Sequence, residues 1–156
     1  YTASQALVDS PNKKLARGRA AAQNMVLTTT GAAEATAKAI PALTGLFTGV
    51  ALRVPVPAGS IIHFTFSAKR NTSAEEINEI FEKAASEARW KGILEVTREP
   101  LVSSDILKTT AGAIVDLNHT RVVGGNLVKV FAWYDNEWGY SAMLVRQVLE
   151  IGKLLK

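Results

Sequence analysis

Ser60-Ile61-Ile62-His63-Phe64-Thr65-Phe66-Ser67-Ala68 alternates along its length. Ile62, Phe64, Phe66 and Ala68 fall on one face, while His63 falls on the opposite, more polar one. A strand written this way has one side to bury. A strand covered on both sides would read as a continuous apolar run. Directly after it, Ser73 and Glu76 have the spacing of a capping box, and Ile77, Ile80, Phe81, Ala84 and Ala88 form an apolar stripe, which predicts a helix over 74–88.

Working outward, residues 47–55 predict a second alternating strand, with Val50, Leu52 and Val54 on one face and Arg53 on the other. Short strands are expected at 92–97 and 113–117, and a longer one at 127–134. Helices are expected from about Ala32 to Leu43, where alanines supply propensity, and over 138–154, with Leu144, Val148, Ile151 and Leu155 along one side. Residues 1–29 read as a long irregular segment turning at Ser10-Pro11-Asn12. The whole implies an α+β domain, its helices packed on one face of a largely antiparallel or mixed sheet. No Gly-rich strand–turn–helix fingerprint is present, so no dinucleotide-binding (Rossmann) half is read in this chain.

The chain has 156 residues, 47% of them hydrophobic and 21% charged, which suits one globular domain, 1–156, with a real core. No apolar run approaches the roughly 18 residues of a membrane span. The opening Tyr1-Thr2-Ala3-Ser4-Gln5 resembles no signal peptide and lacks an initiator Met, so the chain is expected to begin inside a longer protein. There is no cysteine. Disulfides, thiolate metal sites and a cysteine nucleophile are therefore excluded within these residues, and a cytoplasmic setting is expected. The net charge is +4, but the positive residues are scattered apart from Lys13-Lys14-Leu15-Ala16-Arg17-Gly18-Arg19. Without an aromatic stacking platform or zinc-finger spacing, that run reads as a solvated loop or small anion site rather than a nucleic-acid footprint.

Three places offer chemistry. Thr28-Thr29-Thr30-Gly31-Ala32-Ala33 sets hydroxyls and free N–H groups at the start of a helix, which suits a phosphate and equally suits a simple cap with Thr30 as capping residue. Arg17, Arg19 and Arg53 carry the planar fork that grips phosphate oxygens. Arg53, in an otherwise apolar strand, either does this or meets solvent or a structural carboxylate. Trp133-Tyr134-Asp135-Asn136-Glu137-Trp138-Gly139-Tyr140 joins the last strand to the last helix; Asn136 suits an amide-bearing ligand, or Asp135 or Asn136 caps the helix. His63 and His119 lack metal-pair spacing and an evident partner, and are read as structural, with no metal expected.

Together these segments resemble phosphorylating glyceraldehyde-3-phosphate dehydrogenases. The resemblance runs in order through Tyr1-Thr2-Ala3-Ser4-Gln5, Arg17-Gly18-Arg19-Ala20-Ala21-Ala22-Gln23-Asn24, Thr28-Thr29-Thr30-Gly31-Ala32-Ala33, Leu52-Arg53-Val54-Pro55, Lys91-Gly92-Ile93-Leu94, Pro100-Leu101-Val102-Ser103-Ser104-Asp105, and Trp133 to Ser141. It implies the family's C-terminal catalytic domain. It implies that Arg17, Thr30 and Gly31 bind attacking inorganic phosphate, and that Thr2 and Arg53 bind the C3 phosphate of glyceraldehyde 3-phosphate. Asn136 would contact the nicotinamide carboxamide of NAD, with Tyr140 beside it, most of the cofactor being held by an N-terminal domain. Residues 1–23 resemble the S-shaped loop of a homotetramer interface, and Pro11 favours NAD over NADP.

The family's catalytic cysteine and histidine would both lie upstream of Tyr1, leaving no catalytic residue here and an isolated chain without activity. The resemblance falters at Leu15-Ala16, at Ile106–Gly112, and at Pro57-Ala58-Gly59-Ser60 with His63. Alternatives are a non-catalytic phosphate-binding or oligomerisation module, and an erythrose-4-phosphate dehydrogenase.

Overall fold

The computed structural model describes residues 1–155, which form two compact units, Tyr1–Pro57 and the residues from Ala58 onward. No helix among the described residues is long and apolar enough to cross a membrane.

In the first unit the opening segment is irregular, as expected, apart from a 3-10 turn at Leu15–Gly18. It is tied together through its backbone: Ala6 N–H donates to Arg17 O at 3.0 Å, Ser10 N–H to Gly18 O at 2.9 Å and Ala21 N–H to Ala6 O at 2.9 Å. Gly18 is required by this approach, because a Cβ there would lie 2.3 Å from the Ser10 carbonyl oxygen. The irregular segment ends sooner than predicted. Val26–Thr29 is a strand, β1, and it pairs antiparallel with β2, Val50–Arg53. Between them α1 spans Ala32–Ala39 and stops short of Leu43. Pro41 is the reason: the residue before a proline is pushed out of the helical region, and Ile40 adopts φ −129° and ψ 83°.

The second unit is a five-stranded sheet of order β3-β7-β5-β4, made of β3 (Ser60–Ser67), β7 (Leu127–Tyr134), β5 (Ala113–Asp116) and β4 (Leu94–Thr97). A short strand that sequence patterning missed, β6 (Arg121–Val123), also pairs with β7. All pairings are antiparallel except β4 with β5. The mixed sheet and three helices agree with the α+β expectation.

Helix α2, Ala74–Ser86, covers one face: Ile77 packs on Val128 and Val130, with Phe64, Phe66 and Phe81 against them. Val115, Leu117 and Ala132 continue that layer under Phe81, Leu94 and Val96. Near the β5 end the other face is covered as well, where Ile106 and Leu101 lie against Ile114 and Trp133. This explains why Ile114, Val115 and Asp116 are all buried and why β5 does not alternate. The predicted capping box is half formed. Ser73 Oγ accepts Glu76 N–H at 3.1 Å, but the Glu76 carboxylate turns to Arg70 and Thr72 instead of Ser73, and these two donors bring its pKa down to about 2.

The last helix, α3, spans Trp138–Leu154. Its apolar stripe is present but uncovered among the described residues, with Leu144, Val148, Ile151 and Leu155 each about half exposed or more. What anchors α3 is its first turn, where Gly139 is buried against the 109–111 backbone. A Cβ at Gly139 would meet the Ala111 carbonyl oxygen at 2.7 Å. Gly139→Ala is therefore expected to cost about 1–3 kcal/mol through overpacking, measured by urea denaturation.

Candidate functional site

The phosphate candidates all lie in the first unit. Directly paired residues of an antiparallel ribbon point to the same side, so the register Val26↔Arg53 and Thr28↔Ala51 puts Val26, Thr28, Ala51 and Arg53 on one face. Arg17 reaches that face from the 3-10 turn: its Nη2 donates to Thr28 Oγ1 at 2.9 Å. Two guanidinium groups therefore address the same side of the β1–β2 ribbon. The Tyr1 amino group donates to the carbonyl oxygens of Val54 (3.0 Å) and Val56 (2.8 Å), which sets Thr2 beside the end of the strand carrying Arg53. Thr2 is steadied by its N–H on Gln5 Oε1 at 3.1 Å and its hydroxyl against Ser4 Oγ at 2.9 Å.

Arg53 is half-buried and, among the described residues, has no carboxylate partner. The ribbon also inverts the usual expectation. The apolar face of β2 is the open one, with Val50 77% and Leu52 56% exposed, while the arginine face is the more covered. Arg19, by contrast, points away to an exposed ion pair with Asp9 at 3.4 Å.

At the start of α1 the capping position belongs to Gly31 and not, as predicted, to Thr30. Thr30 Oγ1 still accepts Ala32 N–H at 3.1 Å, which leaves its hydroxyl hydrogen free to donate outward. Gly31 has ordinary φ, −84°, and open space where a Cβ would stand. The first N–H groups of a helix have no intrahelical acceptor, so this corner offers donors to an anion.

The nicotinamide candidates lie in the second unit, where β7 runs into α3. Asp135 takes the capping role there: Oδ1 accepts the N–H groups of Trp138 (2.7 Å) and Glu137 (3.0 Å), and Oδ2 accepts Lys108 N–H at 2.9 Å. Lys108 is the single described non-glycine residue with positive φ, 66°, so the carboxylate also pins a strained turn. Asn136 is consequently spared from capping. It is exposed, and its Oδ1 accepts the Ser60 hydroxyl at 2.9 Å. Tyr140 lies in the first turn of α3, 67% exposed. Thr28 belongs to the hydroxyl-rich stretch read as a possible anion site, but its contact with Arg17, and that of Ser60 with Asn136, were not foreseen from sequence.

The comparisons with known proteins decide the family. Residues 1–136 match the profile described as glyceraldehyde 3-phosphate dehydrogenase, C-terminal domain. The chain is 50% identical over 155 residues to glyceraldehyde-3-phosphate dehydrogenase 2 of Nostoc sp., covering 99% of this chain and 44% of that protein. It is 46% identical to glyceraldehyde-3-phosphate dehydrogenase of Streptomyces coelicolor and 50% identical to that of Mycobacterium avium, again over 99% of this chain and 46% and 45% of theirs. The chain belongs to the glyceraldehyde-3-phosphate dehydrogenase family. It spans less than half the length of these relatives.

Within this dehydrogenase domain the histidines depart from the sequence reading in one respect. His63 stacks on Phe131, with centroids 4.5 Å apart, as a structural residue would. His119 does have a partner: its Nδ1 lies 3.0 Å from Oδ1 of the buried Asp116. No group of three or more potential metal ligands occurs among the described residues.

Two outcomes separate folding from binding. Gly31→Ala introduces no clash and no forbidden φ, so stability is expected to stay within about 0.5 kcal/mol of the parent, while phosphate affinity falls if an anion occupies that open space; denaturation and phosphate titration measure the two. For Asp135, burial pushes the carboxyl up, but the N–H donors of Trp138, Lys108 and Glu137 together outweigh it and hold it below the usual carboxylate range. Its depressed value means the stabilisation is present above the unfolded carboxyl's pKa near about 4 and is lost as pH falls through the folded value. Asp135→Asn is expected to cost about 1–3 kcal/mol at neutral pH, and denaturation at a series of pH values should find that gap closing under acid conditions.

Proposed function

We propose that residues 1–156 act together as the catalytic domain of a phosphorylating dehydrogenase that converts glyceraldehyde 3-phosphate and inorganic phosphate to 1,3-bisphosphoglycerate with NAD. The observation that carries this reading is Arg53: a half-buried guanidinium with no carboxylate partner among the described residues, on the same ribbon face that Arg17 reaches. A positive charge withdrawn from water without a partner is costly, and a bound phosphate offsets that cost with charge-assisted hydrogen bonds.

The reaction needs two anion sites, because the substrate brings one phosphate and a second attacks. Thr2 and Arg53 suit the substrate's C3 phosphate. Arg17, steadied by Thr28, with the Thr30 hydroxyl and the N–H groups from Gly31 onward, suits inorganic phosphate. Holding both anions in fixed positions makes the second step effectively intramolecular. Asn136 and Tyr140 meet the nicotinamide end of NAD, and the Asn136 amide and its exposed position fit that role. NAD, when bound, accepts the hydride. The rest of the dinucleotide has no Gly-rich phosphate turn to bind in these residues, and with no cysteine in the chain the nucleophile is supplied from elsewhere, so this chain alone is inactive. The same reading makes residues 1–23 an interface loop of a cytoplasmic homotetramer, with Pro11 favouring NAD.

Arg53→Ala in the complete enzyme is expected to raise KM for glyceraldehyde 3-phosphate about tenfold or more, since a lost charge-assisted contact costs on the order of 2–3 kcal/mol. Steady-state kinetics decide it, and an unchanged KM would sink the assignment of Arg53.

A further inference from the structure

Gln5 is the one buried polar side chain of the first unit among the described residues, in a segment whose other polar residues are exposed or half-buried. Its carboxamide closes a turn on Thr2. Oε1 accepts Thr2 N–H at 3.1 Å, and Gln5 N–H donates to Thr2 O at 2.9 Å. A backbone N–H can only donate, so the carbonyl end of the amide is the one that meets it, and Nε2 is left over. Nε2 is buried and has no hydrogen-bond partner among the described residues. An apolar side chain of the same length would fill this place without burying an unpaired donor. Packing therefore does not account for an amide here, and the contact with Thr2 does.

The next residue ties this turn to the second anion candidate. Ala6 N–H donates to Arg17 O at 3.0 Å, and Ala21 N–H donates to Ala6 O at 2.9 Å. Gln5 and Ala6 thus hold Thr2 and Arg17 from adjacent positions on the chain. We propose that Gln5 is a positioning residue for the substrate's C3 phosphate: its buried carboxamide fixes the Thr2 backbone, and with it the hydroxyl that meets the anion beside Arg53. This rests on the reading that Thr2 and Arg53 hold that phosphate. Gln5 does not touch the substrate. It holds Thr2 in place before the anion arrives, which removes part of the ordering cost of binding. Because the side chain contacts Thr2 alone, its effect is confined to substrates that carry the C3 phosphate.

The test is steady-state kinetics on the complete enzyme, with glyceraldehyde 3-phosphate and with D-glyceraldehyde, which lacks that phosphate. Gln5→Met keeps the length of the side chain and removes the acceptor. It is expected to raise KM for glyceraldehyde 3-phosphate about fivefold, the worth of one ordinary hydrogen bond, with kcat unchanged. KM for inorganic phosphate and kcat/KM for D-glyceraldehyde should keep the parent's values. Gln5→Leu, which also lacks the acceptor, should give the same pattern. Added to Thr2→Ala, Gln5→Met should change nothing further, because the two act through one contact.

Equal losses with D-glyceraldehyde, or a raised KM for inorganic phosphate, would overturn the positioning role and make Gln5 a support of the whole segment. A further fivefold rise in the double variant would overturn it too, since Gln5 would then act without Thr2. If Thr2→Ala raises KM for glyceraldehyde 3-phosphate and neither Gln5 variant does, the proposal fails and the reading of Thr2 stands. If Thr2→Ala leaves that KM unchanged, the reading of Thr2 fails, and the role of Gln5 with it.

Discussion

Strand β7 is the constraint on which the second unit depends. One of its edges is filled along its whole length by β3, from Ser60↔Tyr134 to Ser67↔Leu127. The other edge is shared, β6 taking Leu127–Lys129 and β5 taking Ala132 and Trp133. Val128, Val130 and Ala132 are buried and the residues between them are not fully so. Because side chains alternate strictly, a slip of one residue would carry Lys129 and Phe131 into the layer under α2 and eject Val128 and Val130. That would forfeit the burial that drives this unit to fold. The register is therefore held by apolar burial, and the site inherits it. Tyr134 ends the strand, Asp135 begins the cap of α3, and Asn136 emerges at a position determined by the same ladder that delivers Ser60.

The first unit is organised differently. Its ribbon has only two strands, too few to bury a hydrophobic face by themselves. Much of the surrounding segment is held by backbone hydrogen bonds rather than by apolar packing. The polar face that gathers Arg17, Thr28 and Arg53 is the sheltered one, while Val50 and Leu52 stand open. Such an arrangement suits the proposed anion recognition, since a partly desolvated guanidinium would gain charge-assisted hydrogen bonds from a phosphate. Asp135 is the counterpart in the second unit: a buried charge, but one already supplied with three donors and so spent on structure.

Legibility followed the length and regularity of each pattern. The eight-residue strands β3 and β7 and the helices α2 and α3 were plain, because alternation or a helical stripe repeated often enough to be distinctive. Strand β1 was hidden inside a stretch read as irregular, and β6 was missed, since three or four residues hold too few periods to count. The early end of α1 follows from Pro41, which the alanine-rich propensity of the stretch outweighs in a local reading. Among the candidate site residues, Arg53 stood out as a cation in an otherwise apolar strand, while Thr30 with Gly31, Arg17 and Asn136 were singled out by the family resemblance. The contacts of Thr28 with Arg17 and of Ser60 with Asn136 were not legible, because each joins residues outside one local pattern.

The amino-acid sequence by itself determined the α+β class, the order of the main elements and the family, since these rest on local periodicity and on ordered short motifs. It also determined what chemistry the chain lacks, because a missing thiol is a matter of composition. Only the tertiary structure decided which face of the β2 ribbon is sheltered, that Asp135 and not Asn136 caps α3, and that the Asn136 side chain meets Ser60. Those outcomes depend on hydrogen bonds between residues as far apart as Ser60 and Asn136, and strand register, which no local pattern encodes, is what brings such pairs into contact.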